Sequence, residues 1–327
     1  MPEPVRPVPR TLAGQVAVVT GAGQGIGRAE ALALAERGAA VVVNDLLEDR
    51  AGAVVDEIRR AGGAACANTS SVTSAEGGAE LTRLALERFG GLHVVVNNAG
   101  FLRPGPFEEL GADDIDAVLD VHLRAAFHVT QPAWRVMKEQ RYGRIVMTGS
   151  SAGMFSQAAN SNYCAAKAGV FGLARALATE GEEHGIAVNV VLPFAATTIS
   201  VHNPIPGNQE ARERRGAAYR GEILRRRDPD LVAPLVAHLV SPGCRDSGDV
   251  FSVCGGRYAR VFVALGPGWI SPEPAGITAE DLEAHWELVR STSTVSEPRT
   301  LFDEVADVVA ALDELVPTAA NSGGVTS

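Results

Sequence analysis

The sequence predicts an α/β fold in which a doubly wound parallel sheet carries helices on both faces. Three observations predict it. Short β-branched runs alternate with amphipathic helical patterns along most of the chain. Runs such as VAVVT at 16–20 and VVVNN at 94–98 are apolar on both faces, as buried parallel strands are. The first of these runs leads through a glycine-rich turn into a helical pattern.

The alternation predicts seven parallel strands. They cover 15–20, 40–45, 64–68, 93–97, 144–148, 187–192 and 250–254. The helices between them are predicted over 26–37, 48–61, 75–89, 113–140, 163–183 and 231–240. A further strand over 259–265 and helices over 278–290 and 301–315 follow the seventh strand.

The chain is expected to form one large domain with shorter segments at its ends. A proline-rich flexible arm over 1–11 precedes the α/β domain over 12–257. An arginine-rich insertion over 194–228 breaks the alternation, and a mobile substrate lid is a common feature at such a place. A C-terminal extension over 258–316 is expected to pack on the domain or on a partner subunit. Residues 317–327 are expected to be a disordered tail.

Composition excludes several classes of function. A net charge of −10 argues against nucleic acid or an acidic membrane as the main partner. No apolar run is long enough for a membrane span, and none follows Met1 as in a signal peptide. The four cysteines are scattered, which indicates no disulfide framework and no metal site. These features favour a protein of the cytoplasm.

Ser150, Tyr163 and Lys167 have the spacing of a proton-transfer site. Tyr163 and Lys167 are one helical turn apart, so a helix places both on one face. A phenol has an ordinary pKa of about 10, and a nearby lysine ammonium is expected to lower that pKa toward a useful base. Ser150, thirteen residues before Tyr163, is placed to hold an alcohol or carbonyl oxygen against the phenol.

The turn from Gly21 to Gly27 predicts a phosphate-binding site. Its G-x-x-x-G-x-G spacing lets a pyrophosphate approach the N-terminus of the following helix. Asp45, at the end of the second strand, is placed to bind ribose hydroxyls and repel a 2′-phosphate, and Leu46 and Leu47 follow it instead of an arginine. NAD is therefore favoured over NADP. The alternative interpretation of the Gly21–Gly27 turn is an ordinary tight turn between a strand and a helix. The alternative interpretation of Asp45 is a helix cap.

Together with Asn97-Asn98-Ala99-Gly100 after the fourth strand, these motifs resemble the short-chain dehydrogenase/reductase family over residues 12–256. The resemblance implies a Rossmann-type fold and a secondary alcohol or ketone as substrate. Catalytic roles fall on Ser150, Tyr163 and Lys167. The implied cofactor-binding residues are Gly21, Gln24, Gly25, Ile26, Gly27, Asp45, Ser71, Val72, Asn98, Ala99, Gly100, Tyr163, Lys167, Pro193 and Thr198.

His122 departs from the family pattern, because it stands where the family has an asparagine of the proton relay. We treat His122 as a catalytic candidate. The alternative is that its ring only packs against neighbouring side chains and has no catalytic role. The surrounding V-H-L-R motif resembles the branch that contains (3R)-hydroxyacyl-CoA dehydrogenases of peroxisomal multifunctional enzymes. That resemblance implies a 3-hydroxyacyl-CoA substrate and a homodimer or homotetramer. A free hydrophobic alcohol, steroid or terpenoid, is the alternative substrate, and a non-catalytic NAD sensor is the alternative function.

The insertion bears on the choice of substrate. Its seven arginines are candidates for binding CoA phosphates. The alternative is a solvated helix face, because glutamates including Glu222 are interleaved with them.

Overall fold

The computed structural model describes residues 8–196, 222–272 and 275–315. The strands in these ranges are Val16–Val19 (β1), Ala40–Asn44 (β2), Ala64–Asn68 (β3), Val94–Asn97 (β4), Gly143–Thr148 (β5), Ile186–Phe194 (β6), Val250–Cys254 (β7) and Arg257–Val261 (β8). The α-helices are Gly25–Glu36 (α1), Glu48–Arg60 (α2), Ala75–Phe89 (α3), Ala112–Leu119 (α4), Ala125–Gln140 (α5), Ser151–Phe155 (α6), Ser161–Gly181 (α7), Glu222–Arg225 (α8), Ala233–Leu239 (α9), Ala279–Ala284 (α10), Trp286–Val289 (α11) and Leu301–Leu315 (α12).

The predicted doubly wound parallel sheet is confirmed. Its strand order is β3-β2-β1-β4-β5-β6-β7-β8, and the first seven strands are parallel. The strand order reverses between β1 and β4: β2 and β3 are added on one side of β1, and β4 to β8 are added on the other side. Ligands bind at the carboxyl ends of the strands at such a switch point.

An eighth strand extends the sheet beyond the prediction. Gly255 and Gly256 both adopt positive φ, 62° and 82°, and form a two-residue turn that folds β8 back antiparallel to β7. The strand predicted over 259–265 therefore lies at 257–261. The chain divides into a unit of residues 1–261 and a unit of residues 262–327.

The core lies on both faces of the sheet. Side chains alternate between the faces because the period of a strand is two residues. Val19 and Val43 pack on one face among residues of α1, α2 and α9. Val18 and Val95 pack on the other face among residues of α3, α5 and α7.

The helix predicted over 113–140 contains a distortion. Residues Asp120–Arg124, between α4 and α5, form a π-helical segment. Such segments are rare and occur frequently at functional sites. None of the helices in the described part of the chain is both long and apolar enough to cross a membrane.

Candidate active site

The turn after β1 can be built only from small residues. A Cβ on Gly21, whose φ is +61°, would lie 2.8 Å from the Ala99 Cα atom. A Cβ on Gly27 would lie 2.4 Å from Asn98 Nδ2. Side chains at these two positions would therefore displace the turn from the strand end on which it rests.

The N-terminus of α1 faces this turn without a side-chain cap. Gln24 is the N-cap residue, and its side chain accepts no hydrogen bond from the helix. Backbone N–H groups at such an end are available to an anion, and the helix dipole favours one there.

Thr20 and Asn98 hold the turn against the end of β4. The backbone N–H groups of Asn98 and Ala99 each donate to Thr20 Oγ1 at 3.0 Å. The Asn98 side-chain amide donates to the carbonyl oxygen of Thr20 at 2.9 Å. The Asn98 amide, predicted to bind cofactor, thus positions the turn, and sequence reasoning did not identify Thr20 as its partner. A threonine directly after the first strand was the signal for it.

Asp45 lies beside the turn and is not the cap of α2. Its Oδ2 accepts a hydrogen bond from Gly23 N at 3.1 Å, and its Oδ1 accepts one from Leu47 N at 3.0 Å. The N-cap of α2 is Leu47, so the helix-cap interpretation of Asp45 is wrong. Arg50, in the first turn of α2, lines the same cleft.

The turn, Asp45 and the ends of β3 to β6 enclose a cleft of about 500 Å³. The predicted residues that line it are Gly21, Gln24, Gly25, Ile26, Asp45, Ser71, Val72, Asn98, Ala99, Gly100, His122, Tyr163, Lys167 and Pro193. Gly27 and Ser150 are not among the lining residues, and Thr198 lies outside the described residues. Residues that sequence reasoning missed include Arg50, Phe101, Leu102, Val121 and Thr148.

Ser150, Tyr163 and Lys167 meet at the inner end of the cleft. Ser150 is the N-cap of α6, its Oγ accepts from Ala152 N at 3.1 Å, and its hydroxyl is hydrogen bonded to that of Tyr163. Lys167, one turn after Tyr163 on α7, places its Nζ atom 5.8 Å from the centroid of the phenol ring. The same Nζ donates to the carbonyl oxygen of Thr148. The three predicted groups are thus brought together from the end of β5 and from α7.

Burial controls the acidity of these groups. Burial raises the pKa of the Tyr163 phenol, and the hydrogen bond with Ser150 opposes that rise. Burial lowers the pKa of Lys167 to about 7. Desolvation therefore outweighs the expected effect of the lysine charge on the phenol, so a phenolate at neutral pH needs further positive charge in the cleft.

His122 lies in the π-helical segment, with its ring edge-on to that of Tyr163. The ring centroids are 5.0 Å apart, and His122 Nε2 lies 2.7 Å from the carbonyl oxygen of Phe101. The backbone N–H of Phe101 also points to Nε2, at 3.3 Å. The contact with the carbonyl oxygen is the shorter of the two, so we assign the proton to Nε2, which leaves Nδ1 as an acceptor. Nδ1 is buried and has no hydrogen-bond partner in the part of the chain that the structure describes.

The His122 ring is neutral and tightly held. Burial and the nearby Lys167 charge lower the pKa of His122 well below its ordinary value. A Cβ on Gly100 would lie 2.2 Å from His122 Cε1, so the glycine of N-N-A-G makes room for the ring. The buried acceptor Nδ1 distinguishes this ring from a simply packed one, since a buried polar atom normally has a partner.

The loop between α6 and α7 carries backbone strain beside Tyr163. Ser156 and Ala159 have φ values of +66° and +55°, which are uncommon for residues with a side chain. Gly105 N donates to the carbonyl oxygen of Ala159 at 3.0 Å, and Asn162 Nδ2 donates to that of Arg103 at 3.0 Å. These bonds join the loop and the first turn of α7 to the segment after Gly100.

Of the arginine-rich insertion over 194–228, the structure describes residues 194–196 and 222–228. There Glu222 pairs with Arg225 at 3.5 Å and with Arg226 at 3.0 Å. For these two arginines the contacts favour the interpretation as a solvated helix face. The predicted lid over 194–228 otherwise lies mostly outside the described residues.

The profile of the short chain dehydrogenase family matches residues 15–205, more than half of the chain. This chain belongs to the short-chain dehydrogenase family. It is therefore an oxidoreductase, and the reaction the comparisons support is hydride transfer between an alcohol and a ketone, with a nicotinamide dinucleotide as the family's cofactor.

Several curated dehydrogenases and multifunctional enzymes resemble this short-chain dehydrogenase. Mouse peroxisomal multifunctional enzyme type 2 is 38% identical over 92% of the chain. The putative short-chain type dehydrogenase/reductase Rv0148 of Mycobacterium tuberculosis is 40% identical over 85% of the chain and 95% of its own length. Hydroxyacyl-CoA dehydrogenase ChsB1 of the same organism is 36% identical over 82% of the chain and 87% of its own length.

A solved structure has the same fold. Full-length peroxisomal multifunctional enzyme type 2 from Drosophila melanogaster superposes with a TM-score of 0.77 at 34% identity, covering 94% of this chain. The chain spans 51% of that enzyme and 40% of the mouse one, so it matches only part of each multifunctional protein.

The residues present fit a dinucleotide. Gly21 and Gly27 let the turn lie directly against the end of β4, and the uncapped N-terminus of α1 lines the cleft beside that turn. Pyrophosphate would be held there, and the Asp45 carboxylate lies where ribose hydroxyls would be bound. Ser150, Tyr163 and Lys167 lie at the other end of the strand edge, where the nicotinamide would be held.

Proposed function

We propose that this short-chain dehydrogenase is an NAD-dependent enzyme that oxidises the secondary alcohol of a 3-hydroxyacyl-CoA to the ketone, and catalyses the reverse reaction. One observation carries the reaction: Tyr163 and Lys167 line the end of a dinucleotide cleft, and the Ser150 hydroxyl is hydrogen bonded to the Tyr163 phenol there. The substrate class is supported by the name of the hydroxyacyl-CoA dehydrogenase relative.

In this proposal the protein's own groups bind the substrate oxygen and accept the proton. Ser150 holds the substrate oxygen, and the Tyr163 phenolate takes the hydroxyl proton. A bound, oxidised nicotinamide would supply the acceptor for the hydride released from the carbon that carries this hydroxyl, and would add positive charge to the cleft. That charge and the Lys167 ammonium stabilise the phenolate against the burial that raises the phenol's pKa.

His122 is proposed to complete the path by which the proton leaves. Its Nδ1 is a buried acceptor beside Lys167 and Tyr163, and an ordered water hydrogen bonded to it would connect the lysine to the loop around Phe101. His122 thereby takes the place of the family's asparagine.

NAD is proposed over NADP because of Asp45. Two backbone N–H groups fix its carboxylate at the ribose end of the cleft, where it would repel a 2′-phosphate. Arg50 lines the same end and would weaken that repulsion. The ratio of kcat/KM for NAD to that for NADP measures how far repulsion by Asp45 outweighs attraction by Arg50. Asp45→Asn should lower this ratio.

The test is a substrate panel read by NADH absorbance, with NAD and NADP side by side. The panel holds (3R)- and (3S)-hydroxyacyl-CoAs of several chain lengths, the matching free 3-hydroxy acids, and steroid and terpenoid alcohols. The proposal expects the highest kcat/KM with a hydroxyacyl-CoA and NAD. A preference for free hydrophobic alcohols would refute the CoA assignment. NAD binding with no turnover on any member would favour a sensor.

Tyr163→Phe is the control for the chemistry. It should abolish turnover, with a loss of about a thousandfold or more, because the phenolate is the base. NAD binding, measured by calorimetry, should remain close to that of the wild type. Turnover comparable to wild type in this variant would refute the assignment of Tyr163.

A homo-oligomer is proposed from an apolar groove between α5 and α7. Phe127, which is 43% exposed, and the open surface of Gly172 lie in this groove. Arg135 and Glu180 line it as well, so two copies related by a two-fold axis can pair each arginine with the partner's glutamate. The exposed apolar side chains of α12, among them Phe302, offer a second surface of this kind.

The proposed location is the cytoplasm. All four cysteines are free in the structure, which fits a reducing compartment. Two of the relatives named above are peroxisomal enzymes, so fractionation of the source cells is the deciding measurement.

A further inference from the structure

Three side chains with metal-binding atoms meet at the loop between α9 and β7. They are His238 on the last turn of α9, and Cys244 and Asp246 in the loop. This loop leads into the amino end of β7. Because β1 to β7 are parallel, it lies at the edge of the sheet opposite to the dinucleotide cleft. The cluster is therefore separate from the dehydrogenase site.

The separations of the ligand atoms fit a tetrahedral ion. Cys244 Sγ lies 3.6 Å from Asp246 Oδ2, and all three ligand atoms lie within 4.8 Å of one another. A zinc ion with ordinary bonds to sulfur and oxygen holds those two atoms about 3.5 Å apart. The Cys244–Asp246 pair thus already has the required separation. His238, on the last turn of α9, supplies the third ligand atom of this set.

Backbone hydrogen bonds hold the three residues in place. Ser241 donates to the His238 carbonyl oxygen through both its N–H, at 3.0 Å, and its hydroxyl, at 2.8 Å. Cys244 N donates to the Ser241 carbonyl oxygen at 3.1 Å, and Asn189 Nδ2 on β6 donates to the Asp246 carbonyl oxygen at 2.7 Å. These bonds fix the backbone that carries the three side chains, so an ion has to order only the side chains themselves.

The donor set selects among metals. A thiolate, an imidazole and a carboxylate are ligands that zinc accepts together, whereas magnesium and calcium prefer oxygen alone. Cys244 is buried, while His238 and Asp246 are exposed and leave a path for the ion to enter. In the structure the Cys244 thiol donates a hydrogen bond to Asp246 Oδ2. A zinc ion would displace that proton, and the resulting thiolate and the carboxylate would together balance the charge of the divalent ion.

We propose that His238, Cys244 and Asp246 bind a zinc ion, with water as the fourth ligand. The ion ties the end of α9 to the loop that enters β7. Since α9 packs on the same face of the sheet as α1, the ion stabilises the dinucleotide-binding domain without taking part in hydride transfer.

The experiment uses the full chain without an affinity tag, stripped of metal with a chelator. Zinc chloride is titrated by calorimetry, and cobalt chloride is titrated by absorbance. We expect one ion per chain and a thiolate-to-cobalt charge-transfer band in the near ultraviolet. Cys244→Ser should remove the band. His238→Ala should weaken zinc binding roughly tenfold or more, and should remove the rise in Tm that zinc gives the wild type.

Matched controls exchange the same residue types elsewhere in the chain. Cys254→Ser and His184→Ala should bind zinc as the wild type does. His238→Ala should also keep wild-type dehydrogenase turnover, which separates this site from the cleft. If Cys244→Ser does not fold, zinc affinity in His238→Ala and Asp246→Asn tests the proposal instead, because both residues are exposed. Both variants should bind zinc more weakly than the wild type. The proposal is overturned by a wild type that binds no zinc, by a cobalt band that persists in Cys244→Ser, or by equal zinc affinity in wild type and His238→Ala.

Discussion

Glu30 is a carboxyl group buried in the helix that receives the dinucleotide. It is 1% exposed on α1, and its Oε2 atom has no hydrogen-bond partner in the described part of the chain. Burial raises its pKa from 4.5 to about 8. Folding at neutral pH therefore requires Glu30 to take up a proton that it does not carry in the unfolded chain.

The sign and size of the effect follow from these two pKa values. Between pH 4.5 and pH 8 the folded state binds more protons at this site than the unfolded state, so stability falls as the pH rises. Each pH unit in that window costs about 1.4 kcal/mol, which amounts to about 3 kcal/mol at pH 7. Glu30→Gln keeps the shape of the side chain and cannot ionise. The variant should therefore match the wild type closely near pH 5 and be more stable by several kcal/mol at pH 8.

The assay is urea unfolding of both proteins at pH 5 and at pH 8, followed by circular dichroism. Other groups also titrate in this range, so the informative quantity is the difference between variant and wild type at each pH. Glu36→Gln removes an exposed carboxylate from the same helix and serves as the control. If the Glu30→Gln difference in unfolding free energy is the same at both pH values, Glu30 is not the buried, protonated group that the structure indicates.

Substitutions at four further positions test the site and the surface. Ser150→Ala removes the hydrogen bond that lowers the pKa of Tyr163, so the pH profile of alcohol oxidation should move to higher pH; an unmoved profile would contradict this. His122→Asn should keep most of kcat while His122→Leu should lose about tenfold or more, and equal rates would refute a relay role. Ser156→Gly should raise the unfolding free energy by about 1 kcal/mol, because glycine adopts a positive φ without strain. A lower unfolding free energy in this variant would show that the serine is not strained. Phe127→Glu should yield monomers in light scattering, and an unchanged oligomer would place the interface elsewhere.

Features encoded in short segments could be predicted from the sequence. The apolar β-branched runs determine the parallel strands, because a strand buried on both faces needs them at every position. The Gly21 turn and the Tyr163–Lys167 spacing are equally local, since each depends on the conformation of a few consecutive residues. These segments were enough to indicate the fold, the dinucleotide cleft and the proton-transfer groups.

The acidity of the site could not be predicted from the same residues. Spacing placed a lysine beside a phenol and suggested a lowered phenol pKa. Burial raises it instead, and burial is a property of the whole packed domain. The buried carboxyl of Glu30 escaped notice for the same reason, because glutamate is an ordinary residue in a helical pattern.

Only the tertiary structure decided which distant or irregular segments meet. Thr20 and Asn98 are 78 residues apart, and the sheet brings them into contact. The His122 ring gains its place from a π-helical segment and from the space above Gly100, neither of which a helical period reveals. His238, Cys244 and Asp246 follow no metal-binding spacing, and they converge because a turn after α9 folds their side chains together. Local periodicity thus determines the elements of this short-chain dehydrogenase, whereas long-range packing and irregular turns determine the environment of its reactive groups.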